Sequence, residues 1–363
     1  MKMNIKNPQI PLIIPAYEPD ERMVVLVQKL SELYPDNIVI VNDGSGQEYE
    51  IFFKKVQELG CIVLKHYRNM GKGRGLKNAF NYCLNQFPDM TGCITADSDG
   101  QHSIEDILKI REALVQNPEK LVLGVRNFSG DDIPFKSRFG NRLTVKVCKF
   151  LCGMEISDTQ TGLRGIPKAF MAELLDTKGE RFEFEMQMLL ESKNCYPIEE
   201  VTIKTLYDSM ENHQTHFDPI RDSIRIYSLL SAPFLRFLVS SVSSSVLDII
   251  LFSILCTFLK NFMGIAYIAV ATAGARILSA IYNFIINYRL VFKSDEKYNR
   301  AMLKYFILVL CQMAASAFFV TLFCVLIKGI NETLAKIIVD TILFFISYQI
   351  QQNIVFIKQE KYD

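Results

Sequence analysis

Across the first 230 residues, short apolar runs alternate with segments whose apolar positions recur at helical spacing. The runs at 10–15, 38–42, 61–66, 93–96 and 121–124 are bounded by polar or Gly-containing turns, which predicts buried strands. Between them, 23–33 (Val24, Val27 and Leu30 inward) and 104–115 carry the helical pattern. Strand and helix in this order predict a mostly parallel, Rossmann-like α/β sheet, whose ligands bind beyond the carboxyl ends of the strands.

After Pro233 the pattern changes. Four apolar stretches, roughly 234–259, 264–288, 303–327 and 334–357, each exceed the ~20 residues that a helix needs to cross a bilayer. The second connection carries Arg289, Lys293, Lys297, Arg300 and Lys304, whereas the first offers little beyond Lys260 and the third has Lys328 and Lys336. The positive-inside rule then places the N-terminal domain, the middle loop and the C-terminus in the cytoplasm of a multi-pass protein of the cell (inner) membrane. Residues 1–9 lack an apolar run, so no cleavable signal peptide is expected and the first domain stays in the reducing cytosol. The predicted organisation is a domain at 1–217, a juxtamembrane helix at 218–232 and an all-α bundle of four membrane helices at 233–363.

Composition narrows the chemistry. A formal net charge of +1 argues against a nucleic-acid partner. Nine Cys without a Cys-x-x-Cys pair, and four His, disfavour structural zinc and a disulfide framework.

The unusual residues gather where the strands end. Pro15-Ala16-Tyr17-Glu18-Pro19-Asp20 follows the first, Asn42-Asp43-Gly44-Ser45-Gly46 the second, and Arg68-Asn69-Met70-Gly71-Lys72-Gly73-Arg74-Gly75 the third. Acids at the first two suit hydrogen bonds to a base and ribose, and the Gly-rich third leads into a helix whose N-terminus favours phosphate. It matches neither a P-loop nor a Gly-x-Gly-x-x-Gly dinucleotide turn, which disfavours a kinase or dehydrogenase. After the fourth strand, Asp97-Ser98-Asp99-Gly100-Gln101-His102 sets two carboxylates one residue apart. An isolated pair of this kind is usually a solvated turn. In this company it suits a hard divalent cation, Mg²⁺ or Mn²⁺, that keeps open positions for phosphate oxygens.

The ordered set Ile-Pro-Ala-Tyr, Val-Asn-Asp-Gly-Ser, Gly-Lys-Gly, Asp-Ser-Asp-Gly-Gln-His and Asp158-Thr159-Gln160-Thr161-Gly162-Leu163-Arg164 resembles family 2 glycosyltransferases of the GT-A fold. The resemblance is nearest to the polyprenyl-phosphate branch, with its dolichol-phosphate mannose synthases and bactoprenol glucosyltransferases, and covers residues 10 to about 230. It implies that Pro15, Tyr17, Glu18, Asp43, Lys72, Asp97 and Arg126 bind a UDP- or GDP-linked sugar. It further implies that Asp97, Asp99 and Gln101 hold the metal. The chain reads Ala-Tyr-Glu-Pro-Asp where the family has Ala-Tyr-Asn-Glu, which leaves Glu18 and Asp20 both open as the first acid. The sequence leaves a homo-oligomer open.

On the acceptor side, Arg126 and the run Phe135-Lys136-Ser137-Arg138-Phe139-Gly140-Asn141-Arg142 place cations after the last of these strands. Arg suits bidentate contacts to phosphate. The resemblance assigns Ser137, Arg138 and Arg164 to the acceptor-lipid phosphate, and Arg138 and Arg164 join Asp97 and Asp99 as the expected catalytic set. A phosphate monoester has a second pKa of about 6, so it is already a dianionic nucleophile and needs alignment more than a base. Glu183 and Glu185 stand where relatives with alcohol acceptors keep a base, and divide evenly between helix face and site. His102, His213 and His216 read as packing or substrate hydrogen-bond residues.

Asp218 and Pro219 open a further helix as N-cap and first helical residue. Ile220, Ile224 and Tyr227 fall on one side and Arg221 and Arg225 on another, the pattern of a helix lying on a lipid surface with its cations at headgroup phosphates. Asp248, Arg276 and Asp340 fall inside predicted spans, where facing lipid would cost each about 2.5–3.5 kcal/mol, so partners are expected. Segments 276–292 and 349–356 resemble the GtrA-like membrane family, associated with lipid-linked sugars. The sequence predicts an inverting, metal-dependent transferase from a nucleoside-diphosphate sugar to polyprenyl phosphate. Its rivals are a transferase to a glycan or glycolipid hydroxyl, and a flippase of lipid-linked sugar with a nucleotide-sugar-sensing domain.

Overall fold

The computed structural model describes residues 8–126, 135–193, 195–204, 218, 220–262, 266–327 and 331–357, with the side chains of 135–137 outside the description. The chain divides into two compact units, Met1–Lys149 with Met154–Leu229, and Phe150–Gly153 with Leu230–Lys361.

The first unit is an α/β layer built on seven strands: β1 (Leu12–Ala16), β2 (Ile38–Asn42), β3 (Ile62–Lys65), β4 (Gly92–Thr95), β5 (Leu121–Arg126), β6 (Arg164–Pro167) and β7 (Ile198–Ile203). Their order is β3-β2-β1-β4-β6-β5-β7. All neighbours run parallel except β6, which is antiparallel to β4 and β5. The five strands expected from apolar runs are present. The two additional strands lack that signal: β6 is Arg-Gly-Ile-Pro, and β7 carries Glu199 and Glu200 in its middle.

Helices α1 (Glu21–Leu33), α2 (Glu50–Glu58), α3 (Lys72–Gln86), α4 (Ile104–Gln116), α5 (Phe135–Cys152), α6 (Lys168–Leu174) and α7 (Glu183–Ser192) pack around the sheet. Helix α1 starts where Asp20 caps it by accepting from the Arg22 amide, and buries Met23, Val24, Leu26, Val27 and Leu30. Ser103 caps α4 in the same way through the Asp106 amide. Strands β1, β2 and β4 are buried along their lengths save for Pro15, so their ends are the places where polar groups reach open space.

The four long apolar helices are α8 (Arg221–Leu259), α9 (Tyr267–Ile286), α10 (Tyr298–Leu326) and α11 (Glu332–Ile350), each long and apolar enough to cross a membrane, and all but the first turns of α8 belong to the second unit. Helix α8 is continuous from the predicted surface segment into the first span, with Pro233 inside it. Asp218 caps it, its Oδ1 accepting from the Ile220 and Arg221 amides at 3.0 and 2.9 Å. Both α9 and α11 end in a π-helical turn, Asn287–Val291 and Gln351–Val355.

These two hairpins repeat one another. Phe237, Phe292 and Tyr348 form a triangle with ring centroids 6.1, 5.1 and 6.0 Å apart. Tyr305, Phe356 and Phe284 form a second at 6.2, 5.5 and 5.8 Å, whose edges correspond to those of the first when α8 is exchanged with α10 and α9 with α11. Asn287 and Gln351, the first residues of the two π turns, hydrogen-bond each other at 3.0 Å. This is the arrangement of a parallel repeat. The three charged residues expected to need partners have them: Asp248 accepts from Ser279 Oγ at 2.9 Å with Arg276 at 3.6 Å, and Asp340 pairs with Lys336 at 2.8 Å.

Candidate active site

Four loops meet at the carboxyl ends of β1, β2, β3 and β4, and each is held by its own sequence. At the end of β2, Asp43 is buried and accepts from the amides of Met70 and Gly71 at 2.8 and 2.7 Å, and from His66 Nδ1 at 2.7 Å. Asn78 Nδ2 donates to His66 Nε2 at 2.8 Å, which fixes the proton on Nδ1 and makes the imidazole a strut between α3 and Asp43. The loop that Asp43 holds ends at Gly71, with φ of +98° and a missing side chain whose Cβ would lie 2.4 Å from the Glu180 carbonyl oxygen. Only glycine fits both demands. Lys72 is thereby set at the first turn of α3.

From there Lys72 Nζ reaches two carboxylates, Asp97 Oδ1 at 2.6 Å and Glu185 Oε1 at 2.9 Å. Burial works to discharge the lysine, but the two carboxylates outweigh it and hold its pKa above the ordinary range. Burial pushes the Asp97 carboxyl up, and Lys72 and His102 more than reverse this, holding it well below the usual carboxylate range. Asp99, two residues on, is raised by burial and by the charge of Asp97, against the Gln101 amide that donates to its Oδ1 at 3.0 Å. His102 is buried, with Nε2 3.5 Å from Asp97 Oδ2.

This lysine–carboxylate cluster stands where the strands of an open α/β sheet present ligands. Residues 12–175 match Glycosyl transferase family 2, and residues 236–356 match the GtrA/DPMS transmembrane domain. The chain therefore carries a family 2 glycosyltransferase domain followed by a GtrA/DPMS transmembrane domain. A UDP-N-acetylglucosamine–dolichyl-phosphate N-acetylglucosaminyltransferase of Methanococcus voltae is 29% identical over 219 residues, covering 54% of this chain and 85% of that one. An uncharacterised protein of Methanocaldococcus jannaschii is 27% identical over 208 residues, covering 56% and 84%. Among solved structures, glucosyl-3-phosphoglycerate synthase from Mycobacterium tuberculosis, in complex with Mn²⁺, UDP and glucosyl-3-phosphoglycerate, aligns at 13% identity and a TM-score of 0.46, over 62% of this chain and 80% of that one. The GT-A-like sheet and the membrane helices expected from the sequence are both present in this glycosyltransferase.

The other expected site residues fall into distinct places. Pro15 and Tyr17 are half-buried at the end of β1, and Glu18 adopts a φ of +48° with its amide donating to Ser45 Oγ at 2.9 Å. A hydrogen bond to Glu18, with burial second, raises the Tyr17 hydroxyl pKa. Asp20 is occupied as the α1 cap and pairs with Arg22 at 2.7 Å. Arg126, at the end of β5, makes a bidentate pair with buried Asp158 at 2.6 and 2.9 Å. Arg164 is fully buried: Nε donates to the Thr161 carbonyl at 2.9 Å and Nη1 to the Glu185 carbonyl at 2.7 Å, and burial lowers its pKa. It therefore braces the start of α7 beneath Lys72 rather than lining the surface. Arg138 is half-buried in the first turn of α5. Arg221 and Arg225 are exposed on α8, each beside an aspartate one turn earlier, Asp218 and Asp222. The side chain of Ser137, together with His213 and His216, lies outside the described residues.

Three features of the site have no local sequence signal. His66 is a lone histidine after a strand, Asp158 meets Arg126 from 32 residues away, and the Lys72–Glu185 pair spans more than half the domain. A fourth feature is the outer face of α5, where Phe139, Arg142, Leu143, Lys146 and Lys149 recur at helical spacing and face outward, while Asn141, Thr144 and Cys148 are buried. Apolar and cationic residues interleaved on one outer stripe suit a lipid–water boundary.

Proposed function

We propose that this glycosyltransferase moves a sugar from a nucleoside diphosphate to the phosphate of a polyprenyl lipid at the cytoplasmic face of the membrane. The observation that carries the reading is the Lys72–Asp97–Asp99 cluster at the strand ends of a chain whose other part is a membrane domain. The acceptor named for the Methanococcus relative, a dolichyl phosphate, supports it. In this reading residues 1–217 form the catalytic domain, 233–363 occupy the bilayer with the basic second connection in the cytoplasm, and 218–232, expected as a separate surface helix, are instead the first turns of the continuous helix α8, with Arg221 and Arg225 at the headgroup level.

Pro15, Tyr17, Glu18 and Asp43 line the nucleotide, and Glu18 supplies the first acid because Asp20 is committed to capping α1. Asp97 and Asp99, with the Gln101 side-chain carbonyl, offer oxygen donors only. Among the described residues no group of three or more His, Cys, Asp or Glu gathers as a full cage. A partial oxygen shell fits Mg²⁺ or Mn²⁺, which commonly keep waters and take substrate phosphates as ligands. When bound, such an ion would neutralise charge on the departing diphosphate. Lys72 and Arg126 meet the donor diphosphate, and Ser137, Arg138, Arg221 and Arg225 the acceptor phosphate, with Arg164 acting from below as a brace.

A dianionic acceptor oxygen attacks the anomeric carbon as the bond to the diphosphate breaks, and the nucleoside diphosphate leaves with that electron pair. One displacement inverts the anomeric centre, and the nucleophile needs no base at neutral pH. The test is incubation of detergent-solubilised protein with Mg²⁺ or Mn²⁺, short-chain polyprenyl phosphate and a panel of labelled nucleotide-sugars. A glycosyl-phosphoryl-lipid formed from one donor, and lost in Asp99→Asn, is expected; no product from any donor would overturn the reading.

A further inference from the structure

Glu185 is one of the two glutamates, with Glu183, that the family resemblance sets where alcohol-directed relatives keep a base, yet its geometry in this chain is that of a partner for a lysine. Its Oε1 lies 2.9 Å from Lys72 Nζ, and it is shielded from solvent with only 12% of its side chain exposed. Three restraints fix the pair. Asp43 and the Glu180 wall hold the backbone at Gly71, so the root of Lys72 cannot shift. Arg164 Nη1 holds the Glu185 carbonyl, so the first turn of α7 cannot shift. The Phe182 ring lies 6.0 Å from the ammonium and closes one side of it. What remains free is the direction of the ammonium itself, which is set by the two carboxylates.

We infer that Glu185 is a positioning residue for Lys72: it draws the ammonium off a purely two-body pair with Asp97 and aims its remaining N–H at the donor diphosphate. An ammonium has three donors, and two are taken by Asp97 and Glu185. Without Glu185 the lysine is free to settle fully on Asp97, neutralising the carboxylate that the donor site needs charged. Glu185 thus acts on donor binding through Lys72 and takes no proton from the acceptor. The inference rests on the nucleotide-sugar reading above and adds a role that reading does not require.

The experiment is calorimetric titration of the full-length protein with UDP and GDP, with Mn²⁺ and separately with EDTA. It compares wild type, Glu185→Gln, Lys72→Met and the double variant, alongside donor KM, kcat and the pH profile of turnover. Glu185→Gln is expected to weaken nucleoside-diphosphate binding and raise donor KM by about tenfold, the size of one charge-assisted contact. Turnover should fall less than about threefold with an unchanged pH profile, since no proton transfer is removed. The double variant should bind no more weakly than Lys72→Met alone, the signature of one shared interaction. Glu185→Asp, which keeps the charge, should fall between wild type and Glu185→Gln and carries the test if the Gln variant does not fold. A loss of turnover of about a hundredfold or more with binding intact would make Glu185 a base and overturn the inference. Losses in Glu185→Gln and Lys72→Met that simply add would overturn it as well. Wild type that binds neither UDP nor GDP would instead overturn the donor reading itself.

Discussion

Asp97 and Gly162 share one place in the active site: a Cβ on Gly162 would fall 2.2 Å from Asp97 Oδ2. The two residues are brought together because β4 and β6 run antiparallel, pairing Thr95 with Arg164, and because Thr95 Oγ1 donates to the Gly162 carbonyl at 2.9 Å. The carboxylate therefore lies flat on a bare backbone, turned toward Lys72. Gly162→Ala should displace Asp97 while leaving the sheet intact. The expected outcome is a loss of turnover of about 10²-fold, of the kind produced by a 1 Å misplacement, with stability lowered by about 1–3 kcal/mol. Product formation and thermal unfolding of the same preparation check both halves.

The Asp43–His66–Asn78 chain predicts a second separation of effects. Replacing His66 by Ala leaves a buried carboxylate short of one donor, which costs about 1–3 kcal/mol, and loosens the loop that sets Lys72. His66→Ala should raise donor KM more than it lowers kcat, and Asn78→Ala should do the same to a smaller degree. Steady-state kinetics against donor concentration, paired with urea unfolding, would show it.

Much of this fold is legible in the chain, and the rest is not, for physical reasons. Strands β1, β2, β4 and β5 announce themselves as apolar runs because both faces of the sheet are covered there, whereas β3 carries its apolar run at the sheet edge, where it is only half-buried. Strand β6 has only Gly165 and Ile166 between an arginine and a proline, and its identity depends on neighbours on either side. The run 135–142 stands out for its cations, yet the helical stripe through Phe139, Arg142, Leu143 and Lys146 gives no core signal because its apolar residues face outward. Asp97, Asp99 and Lys72 stand out as residue types at strand ends. Their mutual geometry does not, since it is made by Gly71, Gly162 and Arg164 at a distance. The membrane repeat shows in the sequence at Val291-Phe292 and Val355-Phe356, but it is faint because other equivalent positions differ in identity, Phe284 against Tyr348 and Asn287 against Gln351.

The α5 stripe predicts a dependence on the membrane that the donor site does not share. Arg142→Gln with Lys146→Gln should lower kcat/KM for a polyprenyl phosphate in anionic vesicles by about thirtyfold, at roughly 1 kcal/mol for each of the two cations near the surface. Calorimetric affinity for the nucleoside diphosphate should be unchanged. Raising the salt concentration should shrink the difference between variant and parent, because screening acts on the cations of the parent.

Burial at the sheet predicts the alkaline limit. Desolvation pushes the Cys61 thiol up to about 11 and that of Cys83 up to about 12. In the unfolded chain both ionise at about 8.5, so above that value the unfolded state holds fewer protons than the native one and stability falls as pH rises. The contribution of these thiols is fully present below about pH 8 and is lost through the window between there and the native values. Urea unfolding at about pH 7.5 and about pH 10 should therefore show a drop that Cys61→Ala with Cys83→Ala reduces. At about pH 8 neither thiol should react with a maleimide until the domain is unfolded.

The account stands most directly on the nature of the nucleophile. Vesicles containing equal amounts of a short polyprenyl phosphate and the corresponding polyprenol, supplied with protein, Mg²⁺ and the productive labelled nucleotide-sugar, offer both acceptors at once. Mass spectrometry and NMR of the extracted lipid should find the sugar only on the phosphate, with its anomeric configuration inverted relative to the donor. Sugar attached to the alcohol, or a retained configuration on the phosphate, would contradict the mechanism derived from this site.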